Sequence, residues 1–322
     1  MAKLATVFGA SGFLGRHVVR ELTTRGWRVR AAVRRPHLAE YLQVFGVPGT
    51  VQLFQANVRH RRSVEDAVAG ADAVVNLVGL LGEVGKNTFD GTQRDGARIV
   101  AESAADAGVR DLVHVSAIGA DADSDSDYAR TKGEAERLVA EVFPEAVILR
   151  PSIVFGPQDA FFNRFAGIAR LSPALPLIGG GKTRFQPVYV DDVADAVAAA
   201  VTDPAHRGKT FELGGPEVMT FKELMQLTLH VTGRRRALVP LPFPIAGLVG
   251  QAGDLAAKLP FVQAPLSADQ VKLLKRDNVV GETGKVGTFA DLGITPTAMD
   301  AVLPSYLYRY RKHGQFSPEV AL

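Results

Sequence analysis

The chain has 322 residues, 47% of them hydrophobic and 22% charged, with a formal net charge of +3. That length allows one large or two modest domains, and the mild positive excess does not call for nucleic acid; an anionic small ligand or an acidic partner surface suits it equally. The absence of cysteine excludes disulfides, zinc–thiolate sites and thiol catalysis, and the seven histidines lack ligand spacing, so no metal is expected.

The first apolar run, Leu4–Phe8, starts almost at once, so the expectation is a chain without a signal or transit peptide ahead of it. "GASGFLG" follows, with Gly9, Gly12 and Gly15 ahead of a helical pattern at Arg16–Arg25. A strand, a glycine-rich turn and a helix N-terminus together suit a dinucleotide pyrophosphate: Gly9 makes the turn, Gly12 admits the phosphates and Gly15 lets the helix pack close. Ser11 adds a hydroxyl donor, and Phe13 and Leu14 complete the loop side of the site. The second strand, Arg28–Val33, runs into Arg34 and Arg35, where an NAD-selective site would place an acid for the ribose 2′-hydroxyl. Two guanidiniums suit a 2′-phosphate, so NADP(H) is favoured; the alternative is a pair of solvated surface arginines.

The third and fourth strands are expected at Val51–Gln55 and Ala73–Leu77. Asn57 is expected at the adenine edge, and Leu77, Val78 and Gly79 along the nicotinamide-side wall. A helix at Ala97–Ala107 and strands at Asp111–Ser116 and Ala146–Arg150 complete an alternation that implies an α/β, doubly wound parallel sheet of Rossmann type. Ser116 ends the fifth strand, and "YARTK" follows with Tyr128 and Lys132 four apart on one helical face. An ammonium beside the phenol would lower its pKa from about 10, making Tyr128 a proton donor to a carbonyl held by Ser116 as hydride arrives.

After Pro151 prolines and glycines become dense, so residues 1–150 are expected to form the dinucleotide-binding domain and 151–322 a smaller C-terminal lobe interleaved with the last sheet strands. Thr220–Glu223 reads as a capping box opening a helix. Two glycine-rich decoys are set aside. "GGGKT" at 179–183 has Pro176 where a P-loop needs glycine, and "GETGKVG" at 281–287 is followed by no amphipathic helix. Residues 237–262 are the most apolar stretch: Pro240, Pro242 and Pro244 oppose a helix at its start, and a helix is expected from Ile245 to Leu259, with Leu248, Val249, Leu255 and Leu259 on one face. With Arg234–Arg236 before it, this segment suits an anionic membrane surface or a partner groove; the alternative is a lid over the lobe's own substrate cleft. Arg309–Leu322 is expected to be a loosely held tail, and no stretch reads as a transmembrane helix.

"GASGFLG", Ser116, "YARTK", "RPSIVFGP" at 150–157 and "PVYVDDVADAV" at 187–197 resemble the extended and atypical short-chain dehydrogenase/reductase superfamily over nearly the whole chain. "RPSIVFGPQDAFFNRFA" and "PLSADQVKLLKRDNVV" are similar to one branch, the nucleotide-binding accessory subunit of respiratory complex I (NADH:ubiquinone oxidoreductase) and its bacterial relatives. The resemblance implies a tightly bound NADPH held for structure, complex I subunits near the membrane as partners, and Pro151 among the cofactor-binding residues. It implies a peripheral position on the cytoplasmic side of a bacterial inner membrane, or on the matrix side for a processed mitochondrial chain. Ser116, Tyr128 and Lys132 are then vestigial. Their intact presence keeps a second reading open, a catalytic NADP-dependent oxidoreductase or epimerase acting on a small or isoprenoid-like substrate.

Overall fold

The six apolar runs of the first half become parallel strands in the computed structural model, which describes residues 2–256, 266–281 and 286–317. They are β1 (Leu4–Phe8), β2 (Arg28–Val33), β3 (Val51–Gln55), β4 (Ala73–Asn76), β5 (Asp111–Val115) and β6 (Val147–Pro151). A seventh strand, Thr210–Leu213, joins beside β6, and the sheet runs Thr210–Leu213, β6, β5, β4, β1, β2, β3. The strands are nearly continuous hydrophobic runs because helices cover both faces; Ala5, Val7, Val74, Val75, Val113 and Leu149 are fully shielded from solvent. The order reverses between β1 and β4, so their carboxyl ends open the crevice where such sheets bind ligands.

The helices of this sheet include α1 (Phe13–Thr24), α2 (Arg61–Val68), α3 (Asp95–Asp106) and α4 (Asp127–Val142). α1 begins three residues before the apolar period suggests, since Gly12 already serves as its N-cap. α3 continues from a π-helical turn, Phe89–Arg94, whose entry is capped by the Thr88 hydroxyl accepting from Gly91 N at 3.1 Å. One cluster, with Phe8, Val64, Val68, Val100, Leu112 and Val139, packs α2, α3 and α4 against the sheet.

The chain forms two compact units. The first comprises Met1–Pro151, Val190–Leu213 and Gly281–Thr295; the second comprises Ser152–Tyr189, Gly214–Val280 and Pro296–Leu322. The second has its own aromatic core, in which Phe155, Phe161, Phe162, Phe165, Phe185 and Phe221 meet at ring-centroid distances of 5.1–6.3 Å. The Thr220–Glu223 capping box forms as the sequence indicates and opens the helix Phe221–Val231. A second capping box, Ser267 with Gln270, opens the helix Ala268–Leu273. Just beyond it Asp277 accepts from Arg184 N at 2.8 Å, and Ser152 Oγ donates to Asn278 Oδ1 at 2.6 Å. The "SADQVKLLKRDNVV" segment is thereby tied into this unit.

Two expectations for the second unit change, while Pro240 keeps its segment out of a helix as expected. The apolar helix spans Phe243–Ala256, two residues earlier than expected, because Pro244 sits in its first turn where no N–H is needed; Leu259 lies outside the described residues. Pro240 lies in a strand, Ala237–Leu241, paired with Ala174–Ile178. The start of the tail is held: Arg309 donates to Pro157 O at 3.0 Å and Arg311 Nε to Val231 O at 2.9 Å. Residues 179–181 form a tight turn between strand segments with no helix opening after them, and 282–285 of the other glycine decoy lie outside the described residues.

Candidate functional site

Gly9 follows β1 directly with φ +81°, a left-handed conformation that side chains disfavour, and its carbonyl accepts from Gly12 N at 2.9 Å. Gly15 is required by close approach: a Cβ there would stand 2.7 Å from Ala10 C and closer still to Gly9 O. Gly12 supplies no capping side chain, so the first N–H groups of α1, including those of Phe13 and Leu14, keep their donors for an anion. Ser11 and Gly12 are exposed at this turn, and Tyr41 donates to Ser11 O at 2.8 Å. Arg16 stacks on the Tyr41 ring at 5.0 Å, which places a further cation beside the loop.

Arg34 and Arg35 are exposed at the carboxyl end of β2; Arg34 Nη1 donates to Asn87 Oδ1 at 3.2 Å. Asn57, after β3, is half-buried, and its Oδ1 accepts from Arg59 N at 3.2 Å. Leu77 continues from β4, its N–H donating to Phe8 O at 3.1 Å, and Val78 N donates to Asn76 Oδ1 at 3.1 Å. A Cβ on Gly79 would lie 3.4 Å from Lys132 Nζ, so the wall after β4 reaches the lysine. Pro151 is buried at the end of β6, where its carbonyl accepts from Ile118 N at 3.0 Å.

Ser116, Tyr128 and Lys132 belong to the same unit. Ser116 follows β5 and is 4% exposed, and its Oγ is buried without a hydrogen-bond partner among the described residues. An orphaned hydroxyl of this kind costs free energy unless something arrives to pair with it, which fits a ligand carbonyl or hydroxyl. Lys132 is 4% exposed, and its Nζ donates to Val115 O at 3.0 Å. Burial lowers the Lys132 ammonium to about 8, with Glu136 opposing. Tyr128 is only partly buried by area, yet desolvation pushes its phenol up to about 12, opposite to the direction expected from a neighbouring ammonium. In this geometry burial outweighs the lysine, whose hydrogen bond goes to the backbone.

Sequence reasoning missed the groups that hold this set in place. Gln93, on the π-helical turn, donates to Thr131 Oγ1 at 3.0 Å and to Tyr128 O at 3.3 Å, and accepts from Leu80 N at 3.1 Å. Asn76 and His114, paired across β4 and β5, share a 3.2 Å contact between Nδ2 and Nδ1. Because Asn76 Oδ1 accepts from Val78 N, its amide must donate, so His114 Nδ1 accepts and Nε2 carries the proton. Burial, then the Lys132 charge, lowers His114 to about 3 and keeps it neutral. The available signal was the alternation "LVHVS", which puts His114 on the same strand face as Ser116.

The residues present therefore fit a dinucleotide, with donors at the α1 N-terminus, cations after β2, and a buried hydroxyl and ammonium after β5. Among the described residues no group of three or more His, Asp or Glu could hold a metal ion, and no helix is long and apolar enough to cross a membrane.

The chain is 36% identical to NADH dehydrogenase (ubiquinone) 1 alpha subcomplex subunit 9, a mitochondrial protein of Arabidopsis thaliana, over 97% of its own length and 79% of that protein's. It is 31% identical to a ceramide reductase of Caulobacter vibrioides, over 75% of this chain and 74% of the relative. The fold is shared with an NADPH-dependent quinone oxidoreductase of Escherichia coli in complex with NADPH, at a TM-score of 0.72 and 21% identity, over 94% of this chain and 98% of that one. The pattern of the NAD dependent epimerase/dehydratase family matches residues 5–214, with the glycine turn, Ser116, Tyr128 and Lys132 all inside it, and the chain belongs to that family.

Proposed function

We propose that this chain is an NADPH-binding accessory or assembly-related subunit of respiratory complex I, in which the cofactor is a structural ligand. The observation that carries the reading is the Arabidopsis relative, a named subunit of NADH dehydrogenase (ubiquinone) matched over 97% of the chain and so through both units. The state of Tyr128 agrees with a cofactor held rather than turned over: the phenol is raised to about 12 and Lys132 is bonded to the backbone, a poor arrangement for proton donation near neutral pH. NADPH is preferred to NADH because Arg34 and Arg35 stand where an acid would otherwise select NAD. Removing both arginines costs roughly 2–4 kcal/mol of NADPH affinity, from charge-assisted contacts discounted for solvent screening. Equal calorimetric affinity of the native protein for the two cofactors would contradict this preference.

The protein sits peripherally at the membrane, on the cytoplasmic side of a bacterial inner membrane or the matrix side of a mitochondrial one, docking through the segment 234–262, of which 257–262 lie outside the described residues. In the helix Phe243–Ala256, Ile245, Leu248, Val249 and Leu255 are exposed, the last two at 45% and 67%. Of the preceding arginines, Arg234 and Arg236 donate to Tyr310 O and Ala169 O, which leaves Arg235 as the exposed charge for an anionic surface. The test is mild detergent extraction of the native protein, followed by gel filtration and identification of the released cofactor. Coelution with complex I subunits and release of NADPH are expected; elution alone, beside an intact complex I, contradicts the reading.

A second reading is a catalytic NADP-dependent oxidoreductase. The Ser116 Oγ, unpartnered among the described residues, favours it, since a buried hydroxyl one residue after the carbonyl that holds Lys132 Nζ suits a substrate carbonyl. So does the ceramide reductase relative. Steady consumption of NADPH by the purified protein with a carbonyl substrate, abolished by Tyr128→Phe, would establish it.

A further inference from the structure

Arginines of the dinucleotide-binding unit commonly face carboxylates. Arg20 lies against Asp191, Arg25 against Glu21, Arg61 against Glu102, Arg94 against Asp90, Arg110 against Asp72 and Arg130 against Glu134. Arg34 and Arg59 are held differently. Arg34 Nη1 donates to the side-chain oxygen of Asn87 at 3.2 Å, and Arg59 Nη1 donates to the carbonyl of Lys86 at 2.6 Å. Both acceptors are neutral and adjacent, on the loop that follows the wall after β4. The loop closes on itself through reciprocal Val84–Asn87 backbone hydrogen bonds, each 3.1 Å. Its one acid, Glu83, accepts from Phe89 N at 2.7 Å. Arg34, Arg35, Arg59 and Lys86 make no ion pair with any described residue.

An amide oxygen fixes a guanidinium without neutralising it, whereas a carboxylate would fix it and compete with any incoming phosphate. Nη2, Nε and the second Nη1 hydrogen of Arg34 are left for a ligand. An exposed arginine loses side-chain freedom when it grips a phosphate, and one already held in place loses less. We propose that Asn87 is a positioning residue that presets Arg34 for the 2′-phosphate of NADPH, and that Arg59, through the Lys86 carbonyl, steadies the loop tip that carries Asn87. The inference rests on the NADPH preference proposed above. It assigns cofactor discrimination to a loop more than fifty residues from the β2 arginines in sequence.

The test is calorimetric titration of the cofactor-stripped full-length protein with NADPH and NADH, for wild type, Arg34→Ala, Asn87→Ala, Asn87→Asp and Arg59→Met. Asn87→Ala is expected to weaken NADPH by about 5–10-fold and leave NADH unchanged, because only the 2′-phosphate contact loses its preset partner. Asn87→Asp should weaken NADPH more, since its carboxylate pairs with Arg34 and repels phosphate, and added salt should shrink the difference. Arg59→Met should act in the same direction with a smaller effect. NADH is the control that a merely structural role would not spare. If wild type binds both cofactors equally, the NADPH reading fails and takes this inference with it. If wild type prefers NADPH and Arg34→Ala erases the preference, but Asn87→Ala keeps it or weakens both cofactors alike, the inference alone is overturned.

Discussion

Replacing Lys132 by methionine should make the cofactor-stripped protein more stable, not less. The side chain is 4% exposed, and burial lowers its ammonium from 10.5 to about 8. That interval, at about 1.4 kcal/mol per pH unit, sets the cost of keeping the charge inside the fold near neutral pH at about 3 kcal/mol. Methionine fills a similar shape without the charge but forfeits the hydrogen bond to Val115 O, a loss of about 1 kcal/mol. The net gain is about 2 kcal/mol at pH 7. The sign with pH follows from the lowered value. Between about 8 and 10.5 the unfolded chain keeps a proton that the folded chain has released, so wild-type stability rises with pH across that window. Below about 8 the full penalty is present. Urea unfolding of both proteins from pH 6.5 to 10.5 should therefore show a methionine advantage that is largest near neutrality and fades toward the alkaline end. A variant less stable than wild type by a pH-independent amount would refute the reasoning, because contacts rather than charge burial would then govern this site. The same substitution should weaken NADPH binding, since Lys132 Nζ lies against the Gly79 wall expected to line the nicotinamide side.

Gly12→Val should abolish NADPH binding, because a branched side chain would occupy the pyrophosphate space, and thermal melts should lose the cofactor shift, worth about 2.7 kcal/mol at a hundredfold excess over Kd in wild type. Leu248→Asp with Leu255→Asp should reduce sedimentation with anionic vesicles while NADPH affinity stays unchanged; the opposite pattern would make this helix a lid. Asp195 is raised to about 6 by burial and by Glu21, against Arg25, so its ionisation penalty grows as pH rises from 3.8 through about 6. Wild-type stability should fall across that window relative to Asp195→Asn, and parallel pH profiles would contradict it.

The sheet was largely legible because strands covered on both faces read as apolar runs, and glycine, proline and polar residues mark their ends. Leu4–Phe8, Arg28–Val33 and Val51–Gln55 match residue for residue. A further sheet strand after Pro151 was expected but not located: Thr210–Leu213 is short and follows a long departure from the sheet, so no local alternation announces it. Helix starts were misjudged where backbone rather than side chains sets them, as with the Gly12 cap of α1. The Ser116, Tyr128 and Lys132 set was legible from spacing. The direction of the Tyr128 shift was not, because proximity of a lysine says nothing of how much water both groups lose. Gln93, Asn76 and His114 were invisible for a related reason: each is ordinary in composition, and its role comes from contacts thirteen or more residues away. The tail was misread because Arg309 and Arg311, which look like solvated charge, spend their donors on distant carbonyls.

The central claim is that the cofactor serves structure in a larger respiratory assembly. Its most direct test introduces Gly12→Val and Tyr128→Phe separately in cells and measures both the amount of assembled complex I and the NADH:quinone reductase activity of the membranes. Tyr128→Phe removes one hydroxyl and keeps the ring that packs edge-on against Phe89 at 6.0 Å, so it should match wild type. Gly12→Val should lower both quantities through loss of the bound NADPH. Unchanged complex I in both variants and in a deletion strain would contradict the account and leave a free NADP-dependent enzyme as the better description.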